Sequence, residues 1–289
     1  MGFRTIVVKS RVKLELRLNM MVIRGEAEKK IFIDEINTVI IQSTAVAVTA
    51  ALLNELAKNN IKVIFCDEKC NPSAELLPYY GAHNTSKRYK QQLNWIQPVK
   101  DAVWKVIITR KILCQAEVLT FLQCTEQANM LTEYAAQVVE GDATNREGHA
   151  AKVYFNAFLD EGRRNDSFMN GCLNYGYAIL LSAFNREIVA AGYMTQLGIW
   201  HDNDFNQFNL ASDLMEPFRP YVDRVALGID DGDDGFKTKL TDILNYGVKI
   251  DGKRTTFDLA IRQYVRSVFH ALNSGEFDAV VFPEEIEWR

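Results

Sequence analysis

The segment FMNGCLNYGYAILLSAFNREIVAAGY, from Phe168 to Tyr193, is almost entirely apolar. A helix that is apolar on every side belongs in the core of a helical domain and not on its surface. Helical spacing of apolar residues starts at about Ser86, has one break at Pro98, and continues to an amphipathic segment that stops at Gly275. The sequence therefore predicts a large, all-α domain over residues 86–289.

The N-terminal part of the chain has a different periodicity. The segment VKLELRL, from Val12 to Leu18, alternates apolar and charged side chains, which predicts a strand with one buried face. Two further apolar segments bracket the polar GEAEK, from Gly25 to Lys29, which is typical of a hairpin tip. We therefore expect a small β-rich domain over residues 1–80, and an α+β chain in which this domain precedes the larger helical one.

Composition and charge limit the class of protein. The chain has 289 residues, of which 48% are hydrophobic and 24% are charged, as in ordinary globular proteins. The most apolar run, from Val39 to Leu53, is too short and too polar to span a bilayer. Five irregularly spaced cysteines are typical of reduced thiols, so we expect a soluble, cytoplasmic protein. A net charge of −4 argues against a generic nucleic-acid binder, unless a local basic face or a partner supplies positive charge.

The segment SDLMEPFRP, residues 212–220, combines carboxylates, prolines and an arginine in a way that a surface helix does not need. A helix that begins at Pro217 has both prolines in its first four positions, where little hydrogen bonding is lost. Glu216 then lies at the positive end of the helix dipole, and Asp213 lies one turn earlier. Because Arg219 follows Glu216 by three residues, the segment predicts a carboxylate and a cation that face one point, as in a functional site.

Two other segments contain candidate site residues. In NREGHAAKVYFNAF, Glu147 shares a helical face with Ala150, Ala151 and Tyr154, so its carboxylate is expected to point inward. The alternative is a glutamate in the first turn that complements the helix dipole. In GIWHDNDFN, His201 follows an apolar segment, where it is either a metal ligand or a cation favoured at the C-terminal end of a helix. The pattern alone leaves both alternatives open.

Glu147, His201 and Glu216 together offer two hard oxygen ligands and one imidazole. Such a set suits Mg²⁺ or Mn²⁺, with the remaining positions open to water and phosphate oxygens. It predicts phosphoryl transfer with the metal as Lewis acid. Several basic clusters follow along the helical part, among them Arg262 and Arg266, four residues apart on one helix face. These arginines are either solvated surface residues or part of a phosphate-binding face.

The segments EGHAAKVYF, GIWH and DLMEPFRPYVD, in this order on a helical domain after a β-rich one, closely resemble the CRISPR-associated adaptation integrases, the first-numbered family of those systems. The resemblance covers essentially the whole chain, and the EPFRP form is most similar to type II members. It implies a metal-dependent DNA integrase and endonuclease that inserts short foreign DNA segments into a CRISPR array. A DNA 3′-hydroxyl would attack a phosphodiester at the repeat boundary, without a covalent protein–DNA intermediate.

The resemblance also implies residue roles and partners. By motif position the metal ligands are Glu147, His201 and Glu216, with Asp213 in support, and many family members have Asp where this chain has Glu216. From its position three residues after Glu216, we also expect Arg219 to contact the scissile or an adjacent phosphate. The implied partners are double-stranded DNA, a second copy of the chain, and a dimer of a second, smaller adaptation protein. The β-rich domain would serve dimerisation and assembly, and an acidic chain would handle DNA on a basic surface built from several subunits.

The sequence leaves two alternative functions open. One is a non-catalytic DNA-binding scaffold with the same fold, which would bind DNA but show no metal-dependent turnover. The other is a generic metal-dependent phosphodiesterase that acts on RNA or small nucleotides, which would hydrolyse its substrate without joining strands.

Overall fold

The computed structural model describes residues 2, 4–79, 81–159, 163 and 166–288. The chain divides into two compact units, the first formed by residues 1–85 and 189–192, the second by residues 86–188 and 193–289. The first is rich in strands and the second in helices, so the predicted α+β class is confirmed.

The first unit contains two four-stranded sheets among its described residues. Its elements are β1 (Arg4–Val8), β2 (Lys13–Arg17), β3 (Met20–Arg24), β4 (Glu28–Phe32), β5 (Ile36–Ile41), β6 (Ala47–Val48), α1 (Ala50–Lys58), β7 (Lys62–Cys66) and β8 (Pro72–Glu75). One sheet has the order β1-β5-β7-β8 with its first three strands parallel, and the other has the order β4-β3-β2-β6. Their apolar faces bury Leu14, Met21, Val39 and Leu52 in one core.

The predicted hairpin tip at Gly25 is confirmed, because β3 and β4 pair antiparallel on either side of it. The strand prediction over Val12–Leu18 is wrong at its last residue. Leu18 is 89% exposed, and Leu18 and Asn19 both have positive φ, 47° and 58°. They form the two-residue turn that joins β2 to β3, where a right-handed strand twist requires positive φ at both central positions.

The second unit holds most of the helices. The elements that lie wholly or mostly in it are α2 (Thr85–Leu93), α3 (Gln97–Phe121), α4 (Thr125–Ala136), α5 (Arg146–Asn156), α6 (Phe168–Ala190), α7 (Asn209–Leu214), α8 (Arg219–Leu227), α9 (Phe236–Asp242), β9 (Gly247–Ile250), β10 (Lys253–Thr256), α10 (Phe257–Ser274) and β11 (Pro283–Ile286). The predicted break at Pro98 is the start of α3, where proline lies in the first turn and no helical hydrogen bond is lost. None of the helices in the described ranges is long and apolar enough to cross a membrane.

The apolar segment that begins at Phe168 forms α6, and its buried residues include Leu173, Phe184 and Ile188. The helical unit also contains a three-stranded antiparallel sheet of order β10-β9-β11, which was not expected from the sequence. The signal was present, since Asp251 and Gly252 form the turn between β9 and β10, and both have positive φ.

Candidate active site

The proline-containing segment after α7 positions Glu216. A 3₁₀ turn spans Glu216–Phe218 and leads directly into α8, so Pro217 lies at the start of the turn and Pro220 lies in the first turn of the helix. Neither proline removes a needed hydrogen bond there. The prediction that a helix begins near Pro217 is thus confirmed, although its first turn is 3₁₀. Glu216 lies at the start of this turn and is only 4% exposed.

A lysine that was not expected from the sequence joins the two predicted carboxylate ligands. Lys111, in the middle of α3, places its Nζ 2.5 Å from Glu147 Oε1 and 2.5 Å from Glu216 Oε2. Arg219 Nε lies 3.0 Å from Glu216 Oε1. Burial opposes ionisation of Glu216, but the charges of Arg219 and Lys111 outweigh it, so the pKa of this carboxyl is lowered. The buried carboxylate of Glu216 and the partly exposed carboxylate of Glu147 therefore face one buried cation.

Capping interactions at the start of α5 fix Glu147. The backbone N–H groups of Arg146 and Glu147 donate to Asp142, at 2.8 and 2.9 Å. Asn145, at φ 51°, accepts from the N–H of Gly148. These contacts satisfy N–H groups that a helix leaves free at its N-terminus. Glu147 lies in the first turn, as one alternative proposed, and its carboxylate contacts Lys111, so the inward orientation of the other alternative also holds.

His201 lies in the loop between α6 and α7 and not at the end of a helix, so its interpretation as a cation favoured by a helix dipole is wrong. Asp213, fully buried in α7, holds this loop. Its Oδ2 accepts from the N–H groups of Ile199 and Trp200, at 2.6 and 3.0 Å. Its Oδ1 accepts from the His201 N–H at 3.0 Å and lies 2.5 Å from His201 Nδ1.

The contact with Asp213 has two consequences for the imidazole. The hydrogen bond to Asp213 raises the pKa of His201, although burial opposes this. It also engages Nδ1 and leaves Nε2 as the ring nitrogen that can bind a metal or donate a proton. Gly198 permits the close packing of the loop, since a Cβ there would lie 2.3 Å from the His201 carbonyl oxygen and 2.7 Å from Asp213 Oδ2.

The donor set fits a divalent cation. The Lys111 ammonium already stands as a cation between Glu147 and Glu216, and Glu216 Oε2 is buried without an aligned hydrogen bond. Mg²⁺ and Mn²⁺ prefer hard ligands such as carboxylate oxygens. Across the part of the chain that the structure describes, no three His, Cys, Asp or Glu side chains come close enough to bind one ion. The joint ligation of one ion by Glu147, His201 and Glu216 therefore stays a prediction.

A buried tyrosine–aspartate cluster supports Arg219. The Arg219 guanidinium lies over the Tyr177 ring, 4.8 Å from its centroid. The Tyr177 hydroxyl donates to Asp223 Oδ1 at 2.5 Å, and the Tyr154 hydroxyl donates to Asp223 Oδ2 at 2.8 Å. The cluster fixes the aromatic face on which the guanidinium rests, which restricts the direction of its N–H donors. Sequence patterns did not single out Asp223, because a lone aspartate within a helix is usually exposed.

Asp223 gives the first testable prediction. Burial raises its pKa to about 6 from the ordinary value of 3.8, although the two tyrosine hydroxyls lower it. The folded chain therefore holds this proton to higher pH than the unfolded chain, and the group's contribution to the free energy of unfolding falls as pH rises from about 4 to about 6. Asp223→Asn removes this titration. We expect the free energy of unfolding of the variant, minus that of the native chain, to increase by up to about 3 kcal/mol from pH 4 to pH 7. Urea denaturation across this range measures the difference, and a constant difference would contradict the prediction.

The two arginines predicted to contact DNA lie in different environments on α10. Arg262 Nε and Nη2 donate to the Glu187 carboxylate, at 2.9 and 3.1 Å, and its side chain is 13% exposed. The guanidinium of Arg262 is thus engaged by Glu187, and its contact with DNA stays a prediction. Arg266 is exposed, so its contact with DNA stays a prediction.

Proteins of similar sequence or fold include CRISPR-associated proteins and a casposase. Residues 5–234 match the family model described as CRISPR associated protein Cas1. A CRISPR-associated endonuclease Cas1 of Neisseria meningitidis serogroup C (strain 8013) is 32% identical over 98% of this chain and 97% of its own length. The fold is similar to that of a casposase bound to integration product, with a TM-score of 0.76 at 21% identity over 96% of this chain and 92% of the other. It is also similar to part of a Cas6-RT-Cas1–Cas2 complex, with a TM-score of 0.75 at 19% identity over 98% of this chain and 36% of the other.

Proposed function

This chain belongs to the Cas1 family of CRISPR-associated proteins, and we propose that it is a divalent-metal-dependent DNA integrase and endonuclease. Its substrates would be a short foreign DNA segment and the repeat boundary of a CRISPR array in the cytoplasm. The observation that supports this best is the pair of carboxylates, Glu147 and Glu216, that face one cation position. Membership of a type II system stays a prediction.

The reaction would be a transesterification. The 3′-hydroxyl oxygen of the incoming strand forms a bond to phosphorus, and the phosphodiester bond of the array strand breaks to leave a new 3′-hydroxyl. The attacking hydroxyl loses its proton and the leaving oxygen gains one. One phosphodiester is exchanged for another, so the reaction needs no external energy source and is reversible.

Each residue of the site would have a defined role. Glu147, His201 and Glu216 would hold Mg²⁺ or Mn²⁺, which when bound supplies charge neutralisation at the phosphate and orients the reacting oxygens. Arg219, fixed on the Tyr177 ring, would hold a non-bridging phosphate oxygen. Asp213 would keep His201 in position through its contact with Nδ1. Catalysis would rest on positioning and on electrostatic stabilisation of the transition state.

The proposed partners follow from charge and from the family. A chain of net charge −4 needs additional positive surface to hold DNA. We infer a homodimer that assembles with a dimer of a second, smaller adaptation protein, with the β-rich first unit serving dimerisation and assembly. A chain of similar fold occurs in a Cas6-RT-Cas1–Cas2 complex, which agrees with such an assembly. The exposed Arg266 on α10 is the candidate for a backbone contact with DNA.

Strand joining on a branched DNA that mimics the half-integrated product tests the function. Because the reaction is reversible, the native chain is expected to resolve the branch and rejoin the continuous strand in Mn²⁺ or Mg²⁺, but not with a chelator. His201→Ala should reduce rejoining to a small residual rate, since it removes the imidazole that Asp213 holds.

The products separate the alternatives. Cleavage without rejoining would favour a hydrolytic phosphodiesterase, and DNA binding without turnover, also after addition of the smaller partner, would favour a scaffold. Either result would contradict the proposed integrase.

A further inference from the structure

Lys111 is a buried cation on an apolar face of α3. Its side chain is 9% exposed, and the neighbouring Ile107, Ile108 and Ile112 are fully buried. Removing an ammonium group from water is costly unless opposite charges compensate it. Here the compensating charges are the carboxylates of Glu147 and Glu216, each with one oxygen 2.5 Å from the Lys111 Nζ. The lysine is tolerated in this position because the two carboxylates surround it.

The carboxylates depend on the lysine in the same way. The Lys111 Nζ lies 2.5 Å from one oxygen of each, so these two oxygens are at most about 5 Å apart. Two carboxylates so close repel one another, and Glu216 is buried as well. Arg219 contacts the other oxygen of Glu216, so its guanidinium does not take over the bridging position.

We propose that the Lys111 ammonium is an internal counter-ion that occupies the metal position between Glu147 and Glu216, and that a divalent ion must displace it in order to bind. This inference rests on the proposed metal site. An ion that binds both oxygens at about 2.1 Å cannot share the space with an ammonium that contacts the same two oxygens. The displaced ammonium needs a new anion, and a DNA phosphate brought to the site supplies one.

The displacement makes metal binding and DNA binding cooperative. Without DNA, the ion competes with a tethered cation for the same carboxylates, so its affinity is reduced. With DNA, the Lys111 ammonium leaves the carboxylates and pairs with a phosphate. The ion then no longer competes with the ammonium, and its affinity for the carboxylates increases. A coupling of this kind is reciprocal, because metal then increases the affinity for DNA by the same factor. The device would keep the site weakly metallated until the substrate is present.

Lys111→Met tests the inference in the full-length chain, since methionine fills a similar volume without charge. We expect Mn²⁺, measured as free ion by electron paramagnetic resonance, to bind the variant at least tenfold more tightly than the native chain. In chelator the variant should melt at a lower temperature, because its carboxylates have lost their counter-ion, and Mn²⁺ should raise that temperature more than in the native chain. A short DNA duplex should increase Mn²⁺ affinity in the native chain and much less in the variant.

Two further variants complete the experiment. Lys105→Met changes an exposed lysine on the same helix and should behave as the native chain. Lys111→Arg keeps the charge and should bind Mn²⁺ no more tightly than the native chain, which tests the inference even if Lys111→Met does not fold. Weaker or unchanged Mn²⁺ binding by Lys111→Met would overturn the inference about Lys111, and so would tighter binding by Lys111→Arg. Neither result would contradict the proposed metal site itself. The native chain is also compared with Glu147→Gln. If the two bind Mn²⁺ equally poorly, with and without DNA, the proposed metal site is wrong as well.

Discussion

Glu216→Gln is expected to reduce metal-dependent strand joining by a factor on the order of 100 to 1,000, the range for loss of one electrostatic stabiliser of a transition state. Glutamine has nearly the same shape as glutamate, so packing at this buried position is retained. The amide, however, is a weaker ligand for a hard cation and removes one of the two negative charges that face the metal position. Rates on the branched DNA at saturating Mn²⁺ measure the effect.

Glu216→Asp provides the matched comparison for this prediction. It keeps the charge but shortens the side chain by one methylene, so we expect activity between those of the native chain and Glu216→Gln. The glutamine variant also leaves Lys111 and Arg219 less neutralised, which should lower its melting temperature in chelator. Native-like strand joining by Glu216→Gln, with the variant folded by circular dichroism, would remove Glu216 from the proposed ligands.

The parts of the fold that could be predicted from the sequence are those set by local pattern. An apolar helix such as α6 can only be buried, and the alternation in β2 can only place one face on the core. The alternation predicted Leu18 as a strand residue, but it lies in a tight turn, whose geometry overrides the alternation at the end of a strand. The sheet of β9, β10 and β11 was not identified, because strands of four residues are too short to show a period.

The site was predicted only in part, because its ion pairs join segments far apart in the chain. Glu147 and Glu216 were identified from helix starts, which are local features. Lys111 was not, since a lysine in a helix usually faces solvent, and its partner Glu147 lies 36 residues away. One local signal was available, namely that Lys111 lies four residues after Ile107 and three after Ile108, on an apolar face of α3.

Asp213 should be as important for strand joining as His201, although it is not expected to contact the metal. Its two oxygens accept from three backbone N–H groups and contact His201 Nδ1, all in the loop that holds the imidazole. Asp213→Asn replaces one accepting oxygen with an NH₂ group that faces other donors. Each buried donor left without an acceptor costs about 1–3 kcal/mol, so the melting temperature should fall together with activity.

The distinction between a positioning role and an independent catalytic role comes from combining the changes. If Asp213 acts through His201, then Asp213→Asn combined with His201→Ala should be no less active than His201→Ala alone, because residues that act as a unit are not additive. Asp202→Asn, an exposed neighbour in the same loop, serves as control and should leave strand joining and melting temperature unchanged. A double variant that loses activity by the product of the two single effects would show that Asp213 acts on the substrate or the metal directly, since removal of the imidazole would not have removed its contribution.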